Sequence, residues 1–313
     1  MYEKKHVRIM KGKDSDYKAY LHNETSRLKN YNIFLGFHLS TKGSILNPLE
    51  EAISFGYTAV QLFLFNPRAW EGKAIDDNTI KAFSALLKKN AIKVDVHIPY
   101  LCNPSSPNEE VYKKSRDMLI QNASVCAMLN IPLVIHLGSH LNRGFSYSFD
   151  RLTKLLNYVL DNTDVEILLE NSAGYRNSVG STLDELAEIL NASSSNRLGL
   201  CIDTAHAFAA GYNIATKSGV DSFANELELK IGVDKIKLFH LNDSKYALGS
   251  GLDRHWHIGK GFIGANGFLN FFSNKYFSKG TFIMETPVNN DGDEVENMKS
   301  ALNIIKKALN LNI

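Results

Sequence analysis

The sequence predicts a (β/α)8 barrel, an α/β fold whose active site sits at the C-terminal ends of the strands. Two observations predict it. Eight short apolar runs alternate with amphipathic stretches over about 280 of the 313 residues, close to the length typical of such barrels. Most runs are near-continuous in Val, Ile and Leu, as strands covered on both faces must be.

Taken in order from Asn32, the first strand reads NIFLGFHL and leads into the helical stretch NPLEEAISFG. AVQLFLF precedes DNTIKAFSALLKKN, KVDVHIPY precedes EEVYKKSRDMLIQNASVCAMLN, and PLVIHLG precedes FDRLTKLLNYVLDN. EILLENS is followed by TLDELAEILN, and LGLCID by VDSFANELELKIG. IKLFHLND and TFIMETP supply the last two strands, and EVENMKSALNIIKKALN closes the chain. An open doubly wound sheet is the alternative, but no glycine-rich phosphate loop follows the first strand. No Pro/Gly/Ser-rich linker divides residues 32–313, so they are read as one TIM-barrel domain.

The formal net charge of +2 divides unevenly: residues 1–31 hold eight Lys/Arg and four Asp/Glu, leaving a balance of −2 for the rest. The body is not broadly basic, so charge alone does not make a nucleic-acid case. The opening segment has weak periodicity and reads as a basic, flexible or loosely helical extension. Cys102, Cys126 and Cys201 are too few and too scattered for a disulfide framework or a thiolate zinc site. No apolar run approaches the roughly 20 residues of a membrane span, and no signal-peptide core opens the chain. A soluble protein of a reducing compartment is the expectation.

The informative residues stand at the strand ends. The third strand ends in His97, the fourth in His136, the fifth in Glu170, and the sixth in Asp203 with His206 just beyond. The seventh ends in His240 and the eighth in Glu285, and the loop after the seventh adds Asp253 and His255. One strand-end histidine is most simply a hydrogen-bonded structural residue. Five histidines and four carboxylates on one rim are not, because barrel closure brings the strand ends into a ring. His, Asp and Glu without Cys form a nitrogen–oxygen ligand set suited to Zn²⁺ or Mn²⁺. Nine ligands exceed one tetrahedral ion and suit two or three ions with open positions. Three divalent ions against the four carboxylates leave an excess of +2, which matches a phosphodiester plus a hydroxide. Metal-assisted phosphoester hydrolysis is the chemistry that fits.

The ordered motifs GFHLSTKG, QLFLFNPRAW, HIPYLCN, HLGSH, LLENSAG, CIDTAHAFAAGY, HLNDSK, DRHWHIGKGFIG and ETP resemble the endonuclease IV family of apurinic/apyrimidinic endonucleases. The resemblance runs from about Gly36 to Thr286. It implies a base-excision-repair enzyme with three Zn²⁺ ions, one position open to Mn²⁺. Such an enzyme cuts duplex DNA 5′ to an abasic site and leaves a 3′-hydroxyl and a 5′-deoxyribose phosphate. Carried onto this chain, His97, His136 and Glu170 hold one ion, and Glu170 bridges to a second held by Asp203, His240 and Glu285. His206, Asp253 and His255 hold the third, with Glu170 and Glu285 the carboxylates on which catalysis most depends. Arg68, Tyr100 and Leu101 match loops that enter the DNA minor groove in the family. Arg254 and Lys260, with Lys42 and Lys245, are candidate phosphate contacts. Pro67 and Ala69 depart from the glutamines some members carry, which leaves base-opposite contacts open. The implied protein is a monomer located where DNA is. His257, though it alternates with Asp253 and His255, is left out of the ligand set. The competing reading is a metal-dependent sugar isomerase on the same barrel, using Glu170, Asp203, His240 and Glu285. It has no use for His206, Asp253, His255 or the Arg68 and Tyr100 loops.

Overall fold

The computed structural model describes residues 14–290 and 292–311. Eight parallel strands close into a barrel: β1 (Ile33–His38), β2 (Ala59–Leu62), β3 (Lys93–His97), β4 (Leu133–His136), β5 (Ile167–Glu170), β6 (Leu198–Asp203), β7 (Ile236–His240) and β10 (Gly280–Met284). Each strand pairs with its sequence neighbour, and β10 pairs with both β7 and β1 to complete the ring. Between β7 and β10, the short strands β8 (Asp243–Ser244) and β9 (His255–Trp256) pair antiparallel.

The helices form the outer layer. They are α2 (Leu46–Phe55), α3 (Asp77–Asn90), α4 (Glu109–Leu129), α5 (Phe145–Asn162), α6 (Leu183–Asn191), α7 (Thr204–Ala210), α8 (Lys217–Lys230), α9 (Gly264–Ser273) and α10 (Asp293–Ala308), after an initial α1 (Asp14–Lys29). Their starts are chemically marked: Asp76, Asn108, Thr182 and Thr216 each accept a backbone N–H of the first turn. Buried Leu, Ile, Val and Phe from these helices and the outward strand faces build the large core between the layers.

The barrel interior explains where the polar residues go. Ala59, Val134, Leu168, Cys201, Leu238 and Ile283 form a separate buried apolar cluster, with Phe34 packed on it. Each lies two positions before a polar residue on its own strand or, for Glu285, just past its end: Gln61, His136, Glu170, Asp203, His240 and Glu285. Side chains two apart on a strand share a face. The apolar layer therefore fills the barrel, and the polar layer stands one step above it, at the mouth.

Over Asp14–Lys29 the extension follows the helical alternative of its sequence expectation, and it is attached to the barrel more firmly than a loose segment. Residues 1–13 lie outside the described residues, but Asp14–Lys29 is a folded helix rather than a flexible segment. Leu21 and Leu28 are fully buried, and Thr25 Oγ1 donates to the Gly56 carbonyl at 2.6 Å. Tyr17 donates to the Val295 carbonyl at 3.2 Å, and Lys306 pairs with Glu24. Leu21, Thr25 and Leu28 form a narrow buried stripe at helical spacing, and most of the remaining helix faces solvent, which is why the periodicity was faint. No helix among the described residues is long and apolar enough to cross a membrane.

Candidate metal centre

All nine proposed ligands meet at the mouth. His97, His136 and Glu170 form one group, and Glu170, Asp203, His240 and Glu285 a second, with ligand atoms in each group within 4.8 Å of one another. A third group joins Asp203, His206 and His255. Asp253 belongs at the same place: its Oδ1 is 3.2 Å from His206 Nε2 and 3.5 Å from His255 Nε2. The structure thus adds Asp203 to the third group, a sharing the sequence did not show.

The carboxylates tie the groups together. Glu170 Oε2 lies 3.1 Å from His97 Nε2 and 3.0 Å from His136 Nδ1, while Oε1 lies 2.9 Å from His240 Nδ1. Asp203 Oδ2 stands 3.8 Å from His240 Nδ1 and 3.4 Å from His255 Nε2. Strand pairing sets these approaches, since His136 is in register with Glu170 and Asp203 with His240. Asp203 also caps α7, accepting from His206 N at 2.8 Å, which fixes His206 one turn from its neighbour.

Each of four imidazoles is oriented by a hydrogen bond from one ring nitrogen to a carbonyl or amide oxygen, although His206 Nδ1 also lies 3.5 Å from Glu170 Oε1. His97 Nδ1 donates to the Ile98 carbonyl at 2.7 Å, and His206 Nδ1 to that of Asn171 at 2.9 Å. His255 Nδ1 lies 3.3 Å from the Glu285 carbonyl, and His240 Nε2 donates to Gln61 Oε1 at 2.8 Å. This leaves His97 Nε2, His206 Nε2, His255 Nε2 and His240 Nδ1 facing the carboxylates, the arrangement that orients metal-binding histidines.

Whether metal ions suit these residues can be tested on two atoms. His206 Nε2 and His255 Nε2 are buried and have no hydrogen-bond partner, although carboxylate oxygens lie nearby. Buried polar nitrogens are seldom left so, and a cation between them and the carboxylates resolves both. The charges point the same way. Burial disfavours the ionised Glu170, yet His136 and His240 hold its carboxyl well below the usual range. Burial likewise opposes charge on His255, but Asp203 and Asp253 lift its imidazolium to about 9.

Several residues at the site carry no ligand signal in the sequence. Glu285 Oε1 is 2.8 Å from Gln61 Nε2 and 3.1 Å from His38 Nδ1, at the ends of β2 and β1. Asn171 Oδ1 accepts from Asp203 N at 2.7 Å, and Asn242 Nδ2 donates to Asp203 Oδ2 at 2.7 Å. Their strand-end positions were the available clue, but amides and a first-strand histidine fall outside the ligand pattern. Asp95, two positions before His97, is buried, and burial lifts its carboxyl to about 7 against the pull of His240.

The remaining candidates occupy the rim. Arg68, Lys42, Arg254 and Lys260 are exposed, and Lys245 Nζ lies over the Trp256 ring at 4.7 Å. Tyr100 is 67% exposed and meets Phe63 edge-on at 5.2 Å. Leu101 differs from it, being half-buried and packed against the core. His257 Nδ1 sits 3.1 Å from Asn297 Nδ2, so it anchors the loop to α10 instead of joining the ligands.

The chain matches a model of the xylose isomerase-like TIM barrel over residues 49–308. It is 41% identical over 274 residues to a probable endonuclease 4 of Cenarchaeum symbiosum, covering 85% of this chain and 98% of that one. The probable endonuclease 4 of Aquifex aeolicus is 40% identical over 264 residues, covering 83% and 94%. The crystal structure of endonuclease IV from Thermus thermophilus superposes with a TM-score of 0.78 at 29% identity, covering 88% of this chain and 99% of that one. A D-tagatose 3-epimerase-like protein shares the fold at a TM-score of 0.65 and 22% identity. With this likeness spanning nearly the whole barrel, the chain belongs to the endonuclease IV family.

Proposed function

We propose that this endonuclease hydrolyses the phosphodiester 5′ to an abasic site in duplex DNA, at a centre holding three Zn²⁺ ions, one of them exchangeable for Mn²⁺. The single observation that carries the reading is the fusion of three ligand groups through Glu170 and Asp203. Bound divalent ions there would lower the pKa of a water toward 7 and neutralise charge on the attacking and leaving oxygens.

The chain's own residues do the rest. Glu170, with its two oxygens turned to opposite groups, holds them in register. Glu285 is steadied at Oε1 by Gln61 and His38, so Oε2 faces the second group, 3.5 Å from His240 Nδ1. Arg68, Arg254 and Lys260, exposed on rim loops, would contact phosphates of a duplex laid across the mouth, and Tyr100 would offer its exposed ring to the groove. Leu101, in the same loop, packs against the core. A monomer suffices, since one chain supplies every ligand. The product ends would be a 3′-hydroxyl and a 5′-deoxyribose phosphate.

The sugar-isomerase reading draws on the epimerase-like neighbour, but that likeness is one of fold alone. It leaves His206, Asp253 and His255 without a task. A duplex carrying one tetrahydrofuran abasic analogue separates the two. Nicking on its 5′ side, lost on prolonged chelation, is the expected result. An intact duplex alongside turnover of a ketose or aldose would overturn it.

A further inference from the structure

Among the described residues, seven of the twelve exposed large hydrophobic side chains sit on loops at the catalytic end of the barrel. Two of them lie outside the loops given a DNA role above. Leu141, after β4, is 53% exposed, and Tyr175, after β5, is 61% exposed. Leu141 also holds φ at +46°, followed by Asn142 at +71°. A left-handed backbone is unfavourable for a residue with a Cβ, and is tolerated best by Gly and Asn. The fold therefore keeps an apolar side chain in solvent on a strained backbone, and Leu141 is not among the residues packed against the core. Strain of this kind persists where surrounding structure enforces it, characteristically at binding sites.

The enforcement is visible. Ser139 and Ser178 pair as an antiparallel bridge, His140 N donates to the Asn177 carbonyl at 2.9 Å, and Val179 N donates to that of Gly138 at 3.0 Å. Asn103 accepts from Ser139 N at 2.9 Å and donates to its carbonyl at 3.2 Å, stitching these loops to the one that carries Tyr100. On the other flank, a Cβ at Gly251 would lie 3.2 Å from the Gly174 carbonyl, so the Asp253 loop closes directly on the Tyr175 loop. Each tip adds an exposed arginine to its apolar residue, Arg143 beside Leu141 and Arg176 beside Tyr175. The strands beneath end in His136 and Glu170.

We propose that residues 139–143 and 174–178 form a second DNA-contacting lobe. Leu141 and Tyr175 lie against sugar and base edges of the strand bordering the cut, and Arg143 and Arg176 sit on its phosphates. The proposal rests on the reading of the site as a DNA endonuclease. Duplex DNA is the occupant because an apolar wedge paired with a cation is groove-and-backbone chemistry. The nearby carboxylates are already engaged: Glu185 accepts from Gly180 N and Ser181 N, and Asp253 faces His206 and His255. The tips are left positive.

Fluorescence anisotropy with undamaged and abasic duplexes tests the lobe in the full chain. Leu141→Asn keeps a residue that tolerates the left-handed backbone, and Tyr175→Ser removes the ring. The double variant is expected to bind both duplexes about tenfold more weakly, with metal content and saturating turnover within about twofold of the parent. Its melting temperature should not fall, and Leu141→Gly should raise it while weakening binding. Arg143→Ala with Arg176→Ala should lower the slope of log affinity against log salt by about 2. Unchanged affinity in these variants, or weaker binding that merely follows lost stability, would overturn the lobe. Binding to undamaged duplex is read without cleavage, so a parent chain that binds through these loops yet leaves abasic DNA intact would sink the endonuclease reading alone.

Discussion

Glu285 has both oxygens committed, Oε1 to Gln61 and His38 and Oε2 toward His240. Glu285→Gln keeps the size and the hydrogen-bonding partners but removes a charge that an ion held by the second group would need. Incision should fall by more than about a hundredfold, the upper range for disturbing a ligand's own neighbours, while melting shifts by only a few degrees. Most of the activity surviving would remove Glu285 from the ligand set. His255 makes a pH prediction. Its folded pKa of about 9 lies above its ordinary value of about 6.5. In metal-free protein its contribution to stability is therefore complete below about 6.5 and is lost as pH rises through about 9. Asp253 moves the opposite way: burial opposes ionisation, but His206 and His255 hold its carboxyl below the usual range, so its share fades only in acid. Metal-free protein should melt at a lower temperature at alkaline pH than near neutrality. Metal uptake near neutrality should also release protons, because His255 must shed one to act as a ligand. Calorimetry in two buffers of different ionisation heat measures that release, and its absence would contradict the arrangement.

The segment from Asp243 to Gly264 shows how an irregular element is made rigid. Asp243 is buried and accepts from Ser244 N at 2.8 Å, Gly261 N at 2.9 Å and Ile263 N at 3.0 Å, with Gly264 N at 3.2 Å. Burial still pushes its carboxyl above the usual range, against those N–H groups. The loop it gathers presents Asp253 and His255. Asp243→Ala would orphan buried donors at a cost on the order of 2–4 kcal/mol and loosen the third group. Lower melting with loss of about one metal in elemental analysis is expected; unchanged values of both would refute the role. At this scale the sequence was unevenly legible. Apolar runs located every barrel strand, although AVQLFLF overran β2, which stops at Leu62 before the chain turns out to the rim. The short α7 was not visible, because its seven residues are nearly all buried and show no amphipathic contrast. The glycine-rich start of α9, with no side-chain cap, hid that helix, and the thin buried stripe of α1 concealed its attachment.

At the scale of the molecule, the barrel converts spacing along the chain into proximity. The cluster of nine side chains was legible because His, Asp and Glu break strand-end apolar runs, and these breaks converge one step above the apolar layer. What strand ends could not show was which carboxylate each group shares. Asp203 joins the third group because the loop after β7 closes against α7 and brings His255 to it. Nor could composition reveal Gln61, His38, Asn171 and Asn242, whose roles exist only once their partners are placed. The three groups form one connected cluster through Glu170 and Asp203, so partial loading should not suffice for cleavage. Zinc titrated into chelated protein, with nicking of an abasic-analogue duplex as the readout, tests this most directly. Activity that returns fully only at three equivalents per chain is the predicted result. Full activity at one equivalent, or no nicking at any loading, would contradict it.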